Sequence, residues 1–427
     1  MKAILALLFF PCLAYGAGEL DKADQHFAKG RYEEALQLYA PAAALPGEEG
    51  LKALYRAAEC EGLLFRYGEA ATRLAERKLP PDPLWQGRLL LLRAETGRQF
   101  LQQYGYSLPA DEQKGSKDVT KYTAAQWRRL IGADYDSLWP LRGELLKHRL
   151  EGQGYFVDLK GAELAYTPTL WDFAALRWTG YLLDEAEDAG AKPAAEPFAD
   201  PSFKADYAAG SPSALKAAAV FEDAAALSSA SMDFAREYWR LERLMIPFEH
   251  SGRVAAHDRG ALRARALKTL LGWAGSFKTA LARSWAYYRA AAFEREAGNL
   301  KSAVELCRKA SAESARSKPA SHCDKLRAEI EMPRLELTAS FAPPPGSKIL
   351  TVSARNVDTV YFRAYKTTPE ELYSLGWAGG PEAGWGRIKY MQQETLRAFL
   401  GKGRGLEWKQ KIEYPAPYQE KRQEVAS

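Results

Sequence analysis

The chain has 427 residues, 47% of them hydrophobic and 26% charged, an ordinary balance for a folded protein with room for two or three domains. Its 59 Lys and Arg nearly cancel its 54 Asp and Glu, and a net charge of +5 over this length excludes a strong electrostatic case for nucleic acid or an anionic membrane. The 11 Trp and 22 Tyr suit helix packing, carbohydrate binding and protein binding alike, and decide among none of them.

Lys2 supplies a positive start, and Ala3 to Leu13 form an apolar run too short to span a bilayer. Ala14-Tyr15-Gly16 then offers small residues at −3 and −1 for a signal peptidase. The expectation is a signal peptide over residues 1–16, cleaved before Ala17, with a periplasmic or secreted product. A buried N-terminal helix is the other reading. Cys12 invites a lipid anchor, but Phe10-Pro11 stands where a lipid-attachment box needs small residues. No later stretch is apolar enough for a transmembrane helix.

Next comes Gly30-Arg31-Tyr32-Glu33-Glu34-Ala35-Leu36-Gln37-Leu38-Tyr39. A Gly turn precedes an aromatic, a small Ala follows three residues on, and large Tyr39 lies four beyond it. Arg66-Tyr67-Gly68-Glu69-Ala70, with Leu74, repeats the pattern at 67 − 32 = 35 residues. Ala23 and Ala58 sit at matching places upstream of the two copies. A third copy runs Gly298-Asn299-Leu300-Lys301-Ser302-Ala303, with Cys307 and Ala310, preceded by Ala291. Small residues let paired helices approach while bulky ones fill the flanks. The pattern resembles the tetratricopeptide repeat, whose period is ~34 residues. That resemblance implies helical hairpins stacked as an α-solenoid, a scaffold and binding surface over residues 17–332. Two ordinary amphipathic hairpins would give the same pattern.

Between the copies the period fades but helices continue. Thr169-Leu170-Trp171-Asp172 after Pro168 is a capping box with Asp in the Glu role, and Leu170, Phe173, Ala174, Tyr181 and Leu182 mark one apolar face. Residues 190–212 read as a loop or excursion. Leu215–Leu227, Phe234–Met245 and Ala261–Ala292 read as helices, and Pro333 with Pro343-Pro344-Pro345-Gly346 closes the helical region.

After Met332 the period changes from 3.6 to 2. Leu335, Leu337, Ala339 and Phe341 alternate with polar residues as a half-buried strand, and Ile349–Ala354 and Val360–Tyr365 follow around an Asn356-Val357-Asp358 turn. Gly376–Gly386 reads as an exposed loop and residues 387–411 as a basic, solvated face. The expected fold is thus mainly α, tetratricopeptide-like, with a C-terminal antiparallel β-sandwich, incomplete, over residues 333–427.

The run Ile349 to Tyr365, with Arg355-Asn356-Val357 at its turn and Tyr361, Phe362, Arg363 and Tyr365 on its second strand, resembles the opening macroglobulin domain of bacterial alpha-2-macroglobulin-like proteins. Ala328-Glu329-Ile330-Glu331-Met332-Pro333 resembles the helix-to-strand junction of that family, and Pro168 to Phe173 a helix start in its helical region. The resemblance implies a broad-spectrum protease trap, of which this would be a non-catalytic N-terminal part whose partners are proteases bound by the longer protein. The departures are plain: the cysteines are followed by Leu13-Ala14, Glu61-Gly62, Arg308-Lys309 and Asp324-Lys325, so no thioester motif is present, and the strands stop before a full sandwich.

Catalytic motifs are lacking. There is no His-Glu-x-x-His, nucleophile elbow, phosphate-binding loop or complete dinucleotide fingerprint. Gly401-Lys402-Gly403-Arg404-Gly405 lacks the spacing. Ser213-Ala214-Leu215-Lys216 fits Ser-x-x-Lys without its companion motifs, and Ser213 reads better as a helix N-cap after Pro212. His250 and His257 read as loop histidines, two ligands short of a zinc site. No enzyme activity and no cofactor is expected. In an oxidising compartment Cys307 and Cys323, on adjacent helix faces across Lys318-Pro319, are the candidate disulfide, and Cys60 is a buried free thiol. The alternative function is a free-standing exported scaffold that binds an envelope protein; an envelope enzyme has no supporting motif.

Overall fold

The computed structural model describes residues 17–112, 118–160, 163–187, 191–228, 232–339, 349–365, 405–414 and 417–426. The expected signal peptide, the Gly376–Gly386 loop and the 401–404 part of the Gly-rich run lie outside them. The protein is mainly helical, with a three-stranded antiparallel sheet and a further two-stranded pair near the C-terminus. Two compact units divide at Ala286/Tyr287.

In the first unit, α1 (Ala17–Ala28), α2 (Tyr32–Ala42), α3 (Gly47–Leu63) and α4 (Tyr67–Glu76) form two successive hairpins. Ala23, Ala35, Ala42, Ala53, Ala57, Ala58 and Ala70 have at most 1% of their surface exposed, so small residues mark where helices cross. Tyr39 and Leu74 are buried beside them, and Tyr32 and Tyr67 are half-buried. The Tyr39 hydroxyl donates to Asp24 across the first hairpin.

The turns explain the repeat. Gly30 has φ +73, and Arg31 N–H reaches the carbonyl of His26 at 2.9 Å. Phe65 has φ +62, and Arg66 N–H reaches Glu61 O at 2.7 Å; Gly298 has φ +83, and Asn299 N–H reaches Glu294 O at 2.8 Å. Each is a left-handed residue that ends one helix by turning its last amides back on the preceding carbonyls. All three copies therefore share one turn.

The long α5 (Pro83–Tyr104) starts at Asp82, whose carboxylate accepts from Trp85 N–H at 2.8 Å, with Pro83 in the first turn. It packs on α4 and on α6 (Ala124–Asp136), which opens with a Thr123/Gln126 capping box. Gly87 lets α7 (Arg142–Leu145) approach, because a Cβ there would meet Leu145 Cδ2 at 2.4 Å. A strap from Leu150 to Val157 returns to the hairpins. Tyr55 donates to Phe156 O at 2.5 Å, and the Arg88 guanidinium lies 3.9 Å from the Phe156 ring and 2.8 Å from Gln153 Oε1.

Further on, α8 (Leu170–Asp184), α9 (Ser213–Leu227) and α10 (Asp233–Glu249) pack through aromatic rings and buried polar groups. Trp171, Trp178 and Trp239 are fully buried. The expected capping box is present: Thr169 Oγ1 accepts from Asp172 N–H at 3.1 Å, and Asp172 accepts from Thr169 N–H at 3.1 Å. Asp172 also accepts from Trp239 Nε1 at 3.0 Å, tying α8 to α10.

Residues 191–212 are irregular as expected, apart from a 3-10 turn over Glu196–Ala199, yet Phe198 and Ala199 are fully buried. Arg243 clamps them: its Nη2 donates to Asp200 O at 3.0 Å and its Nε pairs with Glu222 at 2.5 Å. Ser213 is not an N-cap. The cap is Pro212, and Ser213 is the first helical residue, buried, because Pro212 takes the extended backbone a cap requires and leaves Ser213 inside.

The stretch 261–292, read as helical, is two helices, α11 (Arg259–Ser276) and α12 (Ala280–Glu296). The break is held from two sides. Thr279 Oγ1 accepts from Ala282 N–H at 3.4 Å and so caps α12, while Glu237 of α10 accepts from Lys278 N–H at 2.6 Å and from Thr279 N–H at 3.2 Å and fixes the linker.

The second unit holds α13 (Leu300–Glu313) and α14 (Lys318–Glu331), which pack on one another, and then β1 (Arg334–Ala339), β2 (Ile349–Arg355), β3 (Thr359–Tyr365), β4 (Gly405–Lys411) and β5 (Lys421–Ala426). The sheet order is β1-β2-β5, and β3 pairs with β4. Val352, Ala354, Val360, Phe362 and Ile412 make one buried apolar cluster, with the period of two expected of β2 and β3. One correction follows. Leu335 and Leu337 are 47% and 52% exposed, so β1 is not half-buried; it is an edge strand held by its ladder to β2. Of the stretch 387–411, read as a basic solvated face, residues 405–411 are described and form a strand in register with β3, pairing Phe362 with Trp408.

Candidate docking groove on the helical hairpins

The helix α4 shows one side to its hairpin partner and the opposite side to two adjoining hollows of about 540 and 430 Å³. One is lined by Glu61, Glu69, Thr72, Arg73 and Glu76, the other by Phe65, Phe100, Tyr104 and Leu108; Gly68, Glu69 and Thr120 line both. A single groove thus runs along α4, with aromatic and aliphatic side chains among polar ones at its start and carboxylates toward its end.

Helical spacing builds it. Positions 69, 72 and 76 of α4 lie on one stripe, since residues three, four and seven apart share a face, and Phe65 stands on the turn that precedes the helix. Arg73 is tied to buried Glu61, Nη2 to Oε1 at 2.5 Å, and Arg66 to Glu33 at 2.9 Å. Both cations lining the groove are thereby neutralised by carboxylates. Glu69 and Glu76 are exposed.

At the apolar end stands the turn residue Phe65. Its ring meets Tyr67 edge-on, with centroids 6.2 Å apart, and its carbonyl accepts from the Tyr104 hydroxyl at 3.2 Å. The left-handed backbone that glycine adopts freely costs a side-chain-bearing residue about 1 kcal/mol, and 69% of Phe65 remains exposed. Leu63 beside it is 44% exposed. Strain and exposure coincide at one residue.

A larger cleft of about 720 Å³ lies among α6, the end of α8 and the start of α9. Its charges are consumed internally: Lys216 pairs with Asp136 at 3.0 Å, Arg128 with Glu187, and Arg129 with Glu112 at 3.4 Å. Tyr207 also donates to Asp136 at 2.8 Å. Ser213 and Lys216 line this cleft together, but the Lys216 amine is committed to Asp136, which leaves the Ser-x-x-Lys pattern without its base.

The remaining sequence-derived residues fall as follows. Ala291 and Ala303 are fully buried, as are Cys307 and Ala310. Cys307 on α13 and Cys323 on α14 are brought together as two buried free thiols in hydrogen-bond contact, and that contact, with burial second, drives the Cys323 pKa upward. Cys60 is buried and free, its thiol pushed up to about 12 by burial. His250 and His257 share no helix face, since α10 ends at Glu249; His250 pairs with Asp184 at 3.2 Å and His257 sits 3.0 Å from Ala255 O.

Arg355, Asn356 and Val357 form a joint. Arg355 donates to Glu329 O at 2.9 Å, Asn356 Nδ2 to Ile330 O at 2.6 Å, and the Tyr414 hydroxyl to Val357 O at 2.9 Å. Asn356, at φ +56, so caps the end of α14 from the β2–β3 turn. Phe362 is buried and Tyr361 is 77% exposed, while Arg363 and Tyr365 are described as strand backbone only. Sequence reading missed the α4 groove, although Phe65 standing where the other copies carry Gly was visible as a signal. Compared with known protein families, curated proteins and solved structures, the chain matches none.

Proposed function

We propose that this chain is a non-catalytic docking scaffold that acts outside the cytoplasm and holds a protein partner on the α4 groove. The observation that carries the reading is Phe65, a large apolar side chain kept exposed on a strained turn where two sister turns use Gly. The left-handed backbone serves the turn, but a large apolar side chain there, left exposed, is retained where a surface has a use. Export rests on the n-region, apolar run and cleavage site of residues 1–16. A photo-cross-linking benzoylphenylalanine at position 65 should give discrete protein adducts in an extract of the source cells. The same group at exposed position 34 of α2 should give none. Equal labelling at both positions would refute the reading.

A second reading has its own support. The Arg355-Asn356-Val357 joint, which binds a helix end to the first strands, is the part of the chain that resembles alpha-2-macroglobulin-like proteins. Under that reading the chain is the scaffold part of a protease trap, and this chain by itself should leave several unrelated proteases uninhibited. Inhibition by the purified chain would overturn it.

A further inference from the structure

We infer that the α4 groove takes an extended, basic peptide segment with an apolar anchor, an inference that rests on the docking reading and names the partner's chemistry. Three observations fix the pattern. Phe65, Tyr104 and Leu108 offer apolar surface at one end, among the polar Ser107 and Thr120. Glu69 and Glu76 follow on one stripe of α4, exposed, while Arg66 is paired to Glu33 and Arg73 to Glu61. Arg73 alone faces the three carboxylates of Glu61, Glu69 and Glu76, so the groove is net negative beside the exposed Phe65 ring, and charge complementarity selects Lys or Arg.

Helical rise sets part of the spacing. At 1.5 Å per helical residue, Glu69 and Glu76 are roughly 10 Å apart along the axis of α4, and Phe65 stands on the turn before the helix. An extended peptide covers ~3.3 Å per residue. The complementary segment has two basic residues about three positions apart, with an aromatic or large aliphatic residue before the first. Glu69 and Glu76 each meet one cation. The exposed ring of Phe65 covers the anchor.

A positional-scanning array of acetylated hexapeptides, probed with the fluorescently labelled full chain, tests this. The expected outcome is enrichment of Lys and Arg at two positions three apart, with an aromatic or aliphatic residue before the first. For a peptide of pattern Trp-Ser-Arg-Ser-Ser-Arg, fluorescence anisotropy should show at least tenfold weaker binding to the Glu69→Lys/Glu76→Lys chain. Both positions are exposed, so that variant keeps its fold, checked by an unchanged unfolding midpoint. Phe65→Gly should weaken binding while raising the unfolding midpoint, a pair of effects that loss of fold does not produce. Enrichment of acidic or uncharged peptides that still depends on Phe65 would overturn the charge assignment and leave docking standing. No Phe65-dependent binding anywhere on the array would overturn both. Self-association of the chain, abolished by the double Lys variant, would make a second copy the occupant and overturn the peptide proposal.

Discussion

Helices are joined in two ways within the first unit, and the two regions read very differently from sequence. Across α1 to α4 the crossings are alanines, with few polar groups inside, and the side-chain pattern recurs with the turn. From α6 to α10 the helices meet through Trp, Tyr and buried charge: Tyr135 stacks on Trp178 at an interplanar angle of 3°, Trp139 on Tyr207 at 4.1 Å, and Asp134, Asp172, Glu237 and Arg243 are buried. Small residues at crossings repeat because each hairpin solves the same steric problem. Polar clamps are each made once, between particular partners, and leave no period behind. The second kind of join should be costlier to break, because removing one partner strands the other in a dry interior.

The largest effect is expected at Arg243. Its guanidinium is 1% exposed and holds Glu222 and the carbonyls of Phe198 and Asp200. Glu222 is 26% exposed and rehydrates, so the cost of Arg243→Ala comes from the cavity it leaves and from two carbonyls without a donor, about 3 kcal/mol. Chemical denaturation measures it, and limited proteolysis should cut first within 191–212. A loss below about 1 kcal/mol would show that the excursion is held by Phe198 burial alone.

Asp172 comes next. Removing it in Asp172→Ala leaves Trp239 Nε1 and Thr169 N–H without their acceptor, at a cost of about 2–3 kcal/mol. Burial raises the Asp172 pKa against the lowering bonds from Thr169 and Trp239. A folded-state value above the unfolded one adds stability that is fully present below the unfolded carboxylate range and is lost as pH rises through the raised value. The stability gap between the native chain and Asp172→Ala should therefore widen on acidification. A gap that narrows would mean that the bonds outweigh burial.

On the hairpin side the corresponding test is overpacking. Ala58 is 1% exposed at a crossing, so Ala58→Leu should cost about 1–3 kcal/mol and Ala23→Leu a similar amount. Because each hairpin touches mainly its neighbours, the unfolding of α1–α4 seen by hydrogen exchange should accelerate while α8–α10 protection stays. Uniform loss would dissolve the distinction between the two regions. The third copy adds a covalent version: the Cys307 and Cys323 thiols touch between α13 and α14, and oxidation should bridge them without moving either helix. Non-reducing peptide mapping of protein from an oxidising compartment should recover that pair linked; Cys307 alkylatable in native protein would refute it.

What the sequence reveals follows the same division. The positions of Ala23, Ala35, Ala58, Ala70 and Ala303 are legible because a crossing needs a small residue at fixed offset, and the shift to strands after Pro333 because period 2 differs from 3.6. The Thr169–Asp172 box is legible because both partners lie within four residues. The break between α11 and α12 is only partly so: its cap, Thr279, is local, but Glu237, which holds the Lys278 amide, comes from a helix 41 residues earlier. The exposure of Leu335 and Leu337 is not legible, since alternation marks a strand but does not say what covers it. The α4 groove was half legible: Phe65 stands at a glycine position, yet the pairing of Arg66 with Glu33 and of Arg73 with buried Glu61, which leaves the groove net negative, comes only with the fold.

The smallest expected effect is an absence of reaction, at Cys60. This thiol is fully buried on α3 among the alanine crossings, and burial pushes its pKa up to about 12. The thiolate is the nucleophile, so near pH 8 only about one thiol in ten thousand would be reactive even if a reagent reached it. Native protein should leave Cys60 unlabelled by a maleimide over hours, and labelling should follow unfolding of the first hairpins, not the chemistry of the reagent. Raising the pH by one unit should accelerate labelling about tenfold if a reagent enters the native packing, because the thiolate fraction then limits. Should labelling instead track the rate at which α1–α4 open, the Ala58→Leu variant will accelerate it in proportion to its loss of stability, while Asp172→Ala will not. That pair of outcomes separates a hairpin that opens by itself from one that opens only with the aromatic region behind it.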